Sequence, residues 1–378
     1  MPGPEDSGSL FRTHVRTGGG ASCPIIAGPG ASREAPGHLA GLAVSRCVVV
    51  TDSNLVATHA AAMAARLRAS GWPCEVVSFP AGEIHKTRAT KESIEDRMLA
   101  AGCGQDTAVI AVGGGVTGDM AGFVAATYMR GIPFIQMPTS LLAMADAAIG
   151  GKTGVDHPLG KNLIGAYHEP AAVLADTGFL ATLPLAEFRS GLAEMVKAGV
   201  VADEALFEEI EACAADLAAG IRAAVVGPLA KSIAVKAAVV SADARESSLR
   251  QILNFGHTIG HAVEMLSGWK LTHGEAVAIG MVVESSLAVK CGLMEAASAR
   301  RLEQLIETLG LPVALPAGVE AKAVLAAAAT DKKARGGALR FALPGGIGRM
   351  AISETGEVSR QVGTGLLTQA LDEAGRRG

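Results

Sequence analysis

The first half of the chain alternates short β-branched apolar runs with polar and glycine-rich segments. Apolar runs that do not alternate with polar residues predict strands covered on both faces, as in a parallel sheet. An alanine-rich stretch over residues 55–70 predicts a helix between the first two of these strands. Strands that alternate with helices indicate an α/β domain. The predicted strands are residues 47–52, 75–78, 107–112 and 134–137.

The second half has a different period, with apolar residues every three or four positions from residue 183 onward. This spacing predicts helices over residues 185–201, 204–217, 223–242, 258–266, 275–291 and 296–309. Residues 339–343 and 349–352 look extended and predict a short hairpin around Gly345-Gly346. We therefore expect two domains, an α/β domain over residues 1–178 and a mainly α-helical domain over residues 179–378, in line with the chain's length.

Composition narrows the class of protein. Of the 378 residues, 49% are hydrophobic but only 3% are aromatic, and 47 are glycine, so we expect a close-packed aliphatic core with many glycine turns. A net charge of -4 disfavours a general nucleic-acid binder. No uncharged apolar run reaches membrane-spanning length, and the start lacks a signal-like stretch, so we expect no membrane partner. Six scattered cysteines without a C-x-x-C pair favour reduced thiols in the cytoplasm.

A strand that ends in three glycines is the first candidate for chemistry. Gly113-Gly114-Gly115 follows the strand at residues 107–112, and an alanine-rich helix is predicted over residues 120–128. Glycine lets the backbone approach a pyrophosphate, to which a helix N-terminus offers free N–H groups. The spacing is not G-x-G-x-x-G, so a tight turn without a ligand stays an alternative. Asp52, which ends an earlier strand, could hold a ribose hydroxyl or cap a turn.

A histidine cluster is the second candidate. His257 and His261 are four residues apart and share a helix face, with Asn254 one turn earlier. Together with His273 and a carboxylate they predict an open divalent-metal site, although the spacing does not say which two histidines are ligands. A core or capping role for the histidines is the alternative. The absence of H-E-x-x-H disfavours a zincin protease.

Cations in apolar or glycine-rich settings form the third feature. Lys152 and Lys161 flank the turn-rich residues 157–160, and cations on such loops suit a phosphate or a carboxylate. Lys197 would share a helix face with Glu194, which an ordinary ion pair explains equally well. Two further cations precede the histidine cluster, Lys236 and Arg250. A solvated surface charge is the alternative for each lysine taken alone.

Together these features favour dehydrogenase-like chemistry on a phosphorylated hydroxy compound, with a metal that polarises an alkoxide or carbonyl. The motifs also resemble the 3-dehydroquinate synthase family of sugar phosphate cyclases. The resemblance rests on residues 113–130 and 138–165, and on GLAEMVK, LNFGHTIGHAVE and HGEAVAIGM at residues 191–197, 253–264 and 273–281. It extends from about residue 46 to about residue 345, with the motifs in the family's order.

The resemblance implies a fold and an activity. The expected fold is an N-terminal Rossmann-like NAD-binding domain followed by a mainly α-helical metal-binding domain, with the active site in the cleft between them. The expected enzyme is a carbon–oxygen lyase acting on a phosphate, which converts 3-deoxy-D-arabino-heptulosonate 7-phosphate into 3-dehydroquinate and phosphate. In the family, a substrate hydroxyl is transiently oxidised by NAD, phosphate is eliminated, the ketone is reduced again, and an intramolecular aldol closes the ring. This step belongs to the shikimate pathway to chorismate and the aromatic amino acids.

The resemblance also implies cofactors, a partner and site residues. We expect bound NAD, a zinc ion whose ligands would also accept cobalt, and a cytoplasmic homodimer. The implied metal ligands are Glu194, His257 and His273. The residues implied for the phosphate and its elimination are Lys152, Asn162, Asn254 and His261. Those implied for the substrate carboxylate and hydroxyls are Arg250, Lys236, Asp146 and Lys197. Arg130 is implied to make a contact across the dimer. Either Lys332 or Lys333 is implied to supply a further cation. The residues implied for NAD are Asp52, Glu83, Lys86, Gly114, Gly115, Asp119, Thr139, Ser140, Lys161 and Thr182.

Three positions depart from the family pattern. Asp156 stands where asparagine is usual, Ser140 where threonine is common, and Ser247-Ser248 where a Gly-Gly pair often precedes Leu-Arg. None is assigned to the chemistry itself, although Ser140 is among the residues implied for NAD. Asp156 adds a negative charge near Lys152 and Lys161, which would weaken anion binding slightly or only form a surface turn.

Three alternative functions remain at this point. Another sugar phosphate cyclase, such as 2-epi-5-epi-valiolone synthase, would act on sedoheptulose 7-phosphate, which lacks a carboxylate and would not need Arg250 and Lys236. A metal-dependent polyol dehydrogenase would consume NAD stoichiometrically. A non-catalytic NAD-binding relative would have lost metal ligands or Lys152, and the sequence retains them.

Overall fold

The computed structural model describes residues 10–16, 22–329 and 339–376. Internal contacts divide the chain into two units, Met1–Leu183 and Pro184–Gly378. The predicted boundary between residues 178 and 179 falls inside a 3-10 helix, Thr177–Thr182, and the division follows that helix. Lys332 and Lys333 lie outside the described residues.

A seven-stranded sheet forms the centre of the first unit. Its strands are β1 (Phe11–Arg16), β2 (Ser22–Gly28), β3 (Arg46–Asp52), β4 (Cys74–Phe79), β5 (Thr107–Gly113), β6 (Phe134–Pro138) and β9 (Ala172–Asp176). Their order is β1-β2-β9-β6-β5-β3-β4. β1 pairs antiparallel with β2, and the remaining pairings of this sheet are parallel. A separate antiparallel hairpin consists of β7 (Lys152–His157) and β8 (Gly160–Tyr167).

Helices cover both faces of the sheet. They are α1 (Ala35–Ala40), α2 (Ala61–Ala69), α3 (Arg88–Ala100) and α4 (Gly115–Thr127). Successive strand residues point to opposite faces. Val49 packs in a buried cluster with Leu67, whereas Val50 packs in another with Ile94 and Val124. The uninterrupted apolar strands therefore reflect burial on both faces, as predicted.

Some elements of the first unit were missed or misplaced by the sequence patterns. The edge strands β1 and β2, the strand β9 and the charged helix α3 were not predicted. The expected loops around Lys152 and Lys161 are the two strands of the β7–β8 hairpin, whose backbones approach closely where glycines face each other. A Cβ at Gly154 would lie 2.7 Å from the Ile164 carbonyl oxygen. Helix α4 begins at Gly115, earlier than predicted, because extended Gly114 directly precedes it.

The second unit is mainly helical. Its helices are α5 (Leu185–Ala202), α6 (Glu204–Ala212), α7 (Ala214–Ala218), α8 (Val226–Ala242), α9 (His257–Leu266), α10 (His273–Lys290), α11 (Ala296–Thr308), α12 (Ala321–Ala329) and α13 (Thr364–Gly375). α10 is the central helix, since it packs against α5, α9, α11 and α13. Four short strands accompany the helices, β10 (Arg340–Ala342), β11 (Pro344–Gly346), β12 (Arg349–Met350) and β13 (Ser359–Gln361).

Helix ends and the C-terminal strands differ from the predictions. The helix expected over residues 204–217 is broken at Cys213 into α6 and α7. α10 begins earlier than predicted because Thr272 and Glu275 form a capping box. The predicted hairpin around Gly345-Gly346 forms in part: β11 pairs with β12, and Ala351 N donates to the Leu343 carbonyl oxygen at 2.9 Å, but β10 pairs with β13 instead.

One helical segment, Arg222–Ala242, is long and apolar enough to cross a membrane by length and composition alone, among the described residues. More than half of its apolar window, 56%, is buried inside the protein. It packs against α5 and α6 and carries the buried Lys236. These contacts are those of a helix packed in the interior of its unit.

Candidate active site

Three helices of the second unit bring a carboxylate and two imidazoles together. Glu194 lies on α5, His257 begins α9 and His273 begins α10. One ligand atom of each lies within 4.8 Å of the others. Glu194 Oε1 is 3.4 Å from His257 Nε2 and 3.3 Å from His273 Nε2. Two imidazole nitrogens and one carboxylate oxygen form a donor set typical of catalytic zinc, so these residues fit such an ion.

The other nitrogen of each imidazole faces an acceptor. His257 Nδ1 lies 3.1 Å from the Phe255 carbonyl oxygen, and His273 Nδ1 lies 3.7 Å from Glu264 Oε2. An acceptor at Nδ1 favours a proton there and leaves Nε2 as the lone-pair donor. Both histidines therefore present Nε2 toward Glu194, in the orientation that metal ligands need.

The carboxylates strongly affect His273. Burial disfavours its charged form, but hydrogen bonds and attraction from Glu194 and Glu264 outweigh burial and raise the pKa of His273 to about 9. A metal at Nε2 would compete with this proton, so metal binding at the triad is coupled to proton release.

Glycines allow the histidine helices to approach. A Cβ at Gly260 would lie 3.0 Å from the Ala276 carbonyl oxygen, and one at Gly280 would lie 2.8 Å from Gly256 C. Gly274 packs against the Ser190 backbone and donates its N–H to Ser190 Oγ at 2.9 Å. Glycine at these positions thus sets the distance of α9 and α5 from α10, and with it the spacing of the three predicted ligands.

Glu284 is a buried residue that sequence reasoning missed. Its side chain on α10 accepts hydrogen bonds from Gly256 N at 2.7 Å and Ile259 N at 3.2 Å. These amides belong to the N-cap residue Gly256 and to the first turn of α9, and Gly256 offers no side chain to cap the helix. Glu284 therefore fixes the start of the helix that carries His257 and His261. An acid in an otherwise apolar helix pattern was the signal for it.

Three of the predicted substrate cations are buried in the same unit. Lys197 and Arg250 are each 2% exposed and Lys236 is 7% exposed. Lys197 pairs with Glu194 one turn away on α5. Charged side chains are rarely buried without a partner or a function. The structure thus places these cations in the interior of the unit that holds the triad, where surface solvation does not explain them.

Arg250 and Asn254 lie on a 3-10 helix, Leu249–Asn254, which packs against α5 and α8. Arg250 Nη1 donates to the Ala244 carbonyl oxygen at 2.6 Å. Asn254 Nδ2 donates to Glu246 Oε1 at 2.7 Å. Glu246 is a second residue that the sequence reasoning missed, and its positive φ of 57° marks it as conformationally unusual.

His261 lies beside the triad on the same face of α9. Its ring centroid is 5.4 Å from that of His257 and 6.1 Å from that of His273. The structure therefore brings all three clustered histidines together, with Nε2 of two of them directed at Glu194. A polar contact or proton transfer by His261, which the resemblance implies, stays a prediction.

In the first unit, several of the residues predicted to bind NAD surround the turn from β5 to α4. Lys86 Nζ lies 2.6 Å from Asp119 Oδ2 and also donates to Asn162 Oδ1. Burial opposes protonation of Lys86, but attraction by Asp119 and Glu83 outweighs it and raises the pKa of Lys86. Lys86 therefore stays a cation beside the glycine turn. Lys161 Nζ lies 3.5 Å from Glu83 Oε1.

The remaining predicted NAD contacts lie near the ends of the parallel strands. Asp52 Oδ2 accepts from Thr117 Oγ1 at 3.2 Å, which links the end of β3 to α4. Thr139 N donates to the Gly113 carbonyl oxygen at 2.9 Å. A Cβ at Gly114 would lie 3.4 Å from Ser140 Oγ. Gly115, also predicted to contact NAD, is the first residue of α4. Thr182, the last residue of that prediction, has its Oγ1 2.7 Å from His59 Nε2.

Three further residues that are predicted to contact the substrate lie in the first unit. Lys152 begins β7, Asp146 lies in the π-helix Ala143–Ala147, and exposed Arg130 has a positive φ of 67°. Their contacts with substrate stay predictions. Asp156 Oδ1 accepts from Asn162 N at 2.8 Å, so its role in this structure is to shape the hairpin.

Comparison with known proteins identifies the family. Residues 76–190 match the family described as 3-dehydroquinate synthase N-terminal, and residues 191–334 match 3-dehydroquinate synthase C-terminal. A 3-dehydroquinate synthase of Synechococcus sp. (strain CC9605) is 49% identical over 319 residues, which cover 84% of this chain and 85% of that protein.

Two solved structures have the same fold. One is 2-deoxy-scyllo-inosose synthase complexed with carbaglucose-6-phosphate, NAD+ and Co2+, with a TM-score of 0.86 at 26% identity over 96% of this chain and 100% of that one. The other is 2-epi-5-epi-valiolone synthase from Streptomyces hygroscopicus with NAD+ and Zn2+ bound, with a TM-score of 0.84 at 31% identity over 96% and 99% of the two chains. Because the two family matches span most of the sequence in the expected order, the chain belongs to the 3-dehydroquinate synthase family.

Proposed function

We propose that this chain is the lyase that converts 3-deoxy-D-arabino-heptulosonate 7-phosphate into 3-dehydroquinate and phosphate. The observation that carries the proposal is the Glu194–His257–His273 triad in a unit that also buries Lys236 and Arg250. The triad suits a metal that binds vicinal oxygens, and the two buried cations suit a carboxylate. Membership of the 3-dehydroquinate synthase family supports the same substrate.

Each group of residues has a proposed task. Lys236 and Arg250 hold the substrate carboxylate, and Lys197 holds a hydroxyl while neutralising Glu194. Asn254 and His261 bind the phosphate end, and His261 serves as the proton carrier because its ring adjoins the triad. Burial of these cations excludes water, which strengthens each contact with an anionic substrate.

We propose NAD and a divalent metal, zinc or cobalt, as the cofactors. NAD would be held in the first unit, where the β5–α4 turn presents a helix N-terminus and Lys86 presents a buried cation. When bound, NAD would exchange a hydride with the substrate while the metal polarises its oxygens. Two imidazoles and a carboxylate bind zinc and cobalt alike, so either metal should support phosphate release after the bound metal is removed.

The deciding experiment is phosphate release by the purified protein with NAD and zinc. We expect release from the heptulosonate phosphate, little release from sedoheptulose 7-phosphate, and no net NADH. Arg250→Met should raise KM for the heptulosonate phosphate, whereas Arg349→Met, at an exposed position of the same unit, should not. Release from sedoheptulose 7-phosphate alone would instead assign a 2-epi-5-epi-valiolone synthase. Steady NADH production with glycerol would assign a polyol dehydrogenase.

We also propose a cytoplasmic homodimer. All six cysteines are free, and Cys23, Cys47, Cys74 and Cys103 are buried, which agrees with a reducing compartment. The dimer follows from the family resemblance, which implies that Arg130 reaches the partner's site. Sedimentation analysis tests the dimer directly. If Arg130 acts across it, a mixture of the Arg130→Ala and His273→Ala variants should recover activity through mixed dimers.

A further inference from the structure

We propose that Asp243 is a positioning residue for substrate binding, and that with Ser247 and Ser248 it fixes the segment that carries Arg250. We call this arrangement the Asp243 clamp. It rests on the proposed function in one respect, the assignment of Arg250 to the substrate carboxylate. Asp243 was not among the predicted site residues, and the Ser247-Ser248 pair had no predicted role.

Asp243 accepts several hydrogen bonds from the segment that follows it. Helix α8 ends at Ala242, and Asp243 is 7% exposed at its C-terminus. Its Oδ1 accepts from Ser247 N at 2.9 Å and from Ser247 Oγ at 3.0 Å. Its Oδ2 accepts from Ser248 N at 2.7 Å, Ser248 Oγ at 3.5 Å and Arg250 N at 3.1 Å. Both carboxylate oxygens are thus engaged, and only a group with two acceptors can satisfy them all.

The clamp replaces a conventional helix cap. Ser248 precedes the 3-10 helix Leu249–Asn254 but makes no side-chain cap to it. The first amides of a helix have no partner within the helix, and Asp243 supplies that partner from the preceding helix. The two serine hydroxyls add donors that a Gly-Gly pair would lack, which gives the departure from the family pattern a structural reason.

Arg250 is held at both ends by the clamp. Its backbone amide donates to the Asp243 carboxylate, and its guanidinium donates to the carbonyl oxygen of Ala244, the next residue. A shift of Asp243 therefore moves both anchors together. Because Arg250 is 2% exposed, its guanidinium has no bulk solvent in which to find another position.

The clamp also encloses Glu246, which orients Asn254. Glu246 has a positive φ of 57°, a region that non-glycine residues occupy only when their surroundings impose it. Its amide lies 3.4 Å from the Asp243 carbonyl oxygen, and its Oε1 accepts from Asn254 Nδ2 at 2.7 Å. The Asp243 clamp thus supports two proposed substrate contacts, Arg250 and Asn254, without touching substrate itself.

The test is Asp243→Asn, which preserves shape but replaces one acceptor oxygen with an NH2 group. If Asp243 acted only through its charge, the variant would strengthen the positive field at Arg250 and lower KM. Positioning predicts the opposite sign, a KM about tenfold higher with a smaller change in kcat, because Arg250 binds the substrate in its ground state. Hydrogen exchange over residues 243–254 should become faster, and zinc affinity should not change.

A matched control separates positioning from loss of stability. Asp203 also follows a helix, has φ −150° beside −149° for Asp243, and accepts from Leu206 N at 3.0 Å, but holds no proposed substrate residue. Asp203→Asn should lower thermal stability and leave KM unchanged. Ser247→Ala with Ser248→Ala should raise KM less than Asp243→Asn, because the backbone donors remain.

The outcomes distinguish this inference from the proposed function. A wild-type or lowered KM in Asp243→Asn would overturn the clamp, and so would an equal rise of KM in Asp203→Asn. If the wild-type enzyme releases no phosphate from the heptulosonate phosphate, the proposed function fails. In that event hydrogen exchange over residues 243–254 still tests the clamp, because wild-type exchange rates in the Asp243→Asn variant would overturn it.

Discussion

Replacing Gly280 by alanine should separate the two helices that carry the predicted metal ligands. Gly280 lies on α10 where it contacts the start of α9. An added Cβ would lie 2.8 Å from Gly256 C and from Gly260 N, and closer still to the Gly256 carbonyl oxygen. Backbone atoms cannot rotate away as a side chain can, so the helices must move apart.

The required shift can be estimated from ordinary contact distances. Carbon contacts are comfortable at about 3.5 Å, so α9 must move by roughly 0.7 Å or more. Metal–ligand distances tolerate only about 0.2 Å, and a shift of this size at His257 exceeds that limit. We expect zinc affinity to fall by about 10–100-fold. Overpacking of this kind costs about 1–3 kcal/mol, which lowers the melting temperature by about 2–12 °C for a unit of this size.

Zinc affinity is measured by competition with a chromophoric chelator, and stability by thermal denaturation without metal. Gly365→Ala is the matched control, because an added Cβ there meets nothing within 4 Å and the residue lies in α13 of the same unit. That control should bind zinc normally and be as stable as the wild type or slightly more stable. A Gly280→Ala protein with wild-type zinc affinity and melting temperature would refute the packing argument.

Further predictions concern acid stability, the metal and NAD. Burial alone would raise the pKa of Asp243, but the backbone amides that it accepts from outweigh burial and lower the pKa to about 2. Because this lies below the unfolded value, the stabilisation of about 2–2.5 kcal/mol is present above pH ~4 and is lost as the pH falls toward 2, and Asp243→Asn should flatten that part of the denaturation profile. His273→Ala should abolish turnover while calorimetry still detects NAD binding by the first unit. A chelator should stop phosphate release, which zinc or cobalt should restore; turnover that survives full metal removal would contradict the metal assignment. Lys86→Met should weaken NAD binding by about tenfold or more, because the half-buried Asp119 would lose its cation, and unchanged affinity would count against Lys86 as an NAD contact.

The sequence was sufficient to predict strands and helices that are specified by the local pattern of apolar residues. β3 and β5 were predicted because continuous apolar runs bury both faces of a parallel sheet, and α5 because its apolar residues follow the helical period. β1 and α3 were missed because they carry many polar residues, and their few buried positions gave weak patterns. The pairing of β10 with β13 could not be predicted, because strand pairing depends on contacts distant in the chain.

Motif order by itself determined the family of this protein and the types of chemistry it carries, since glycines, histidines and cations stand in short segments that a sequence displays directly. Which histidine nitrogens face Glu194 was decided only by the tertiary structure, because α5 is distant in sequence from α9 and α10 and all three meet where glycines permit close contact. Likewise, the roles of Glu284 and Asp243 depend on carboxylates that reach the amides of another segment. Local sequence specifies a helix and its period, but the partner of a buried polar group depends on which segments pack together.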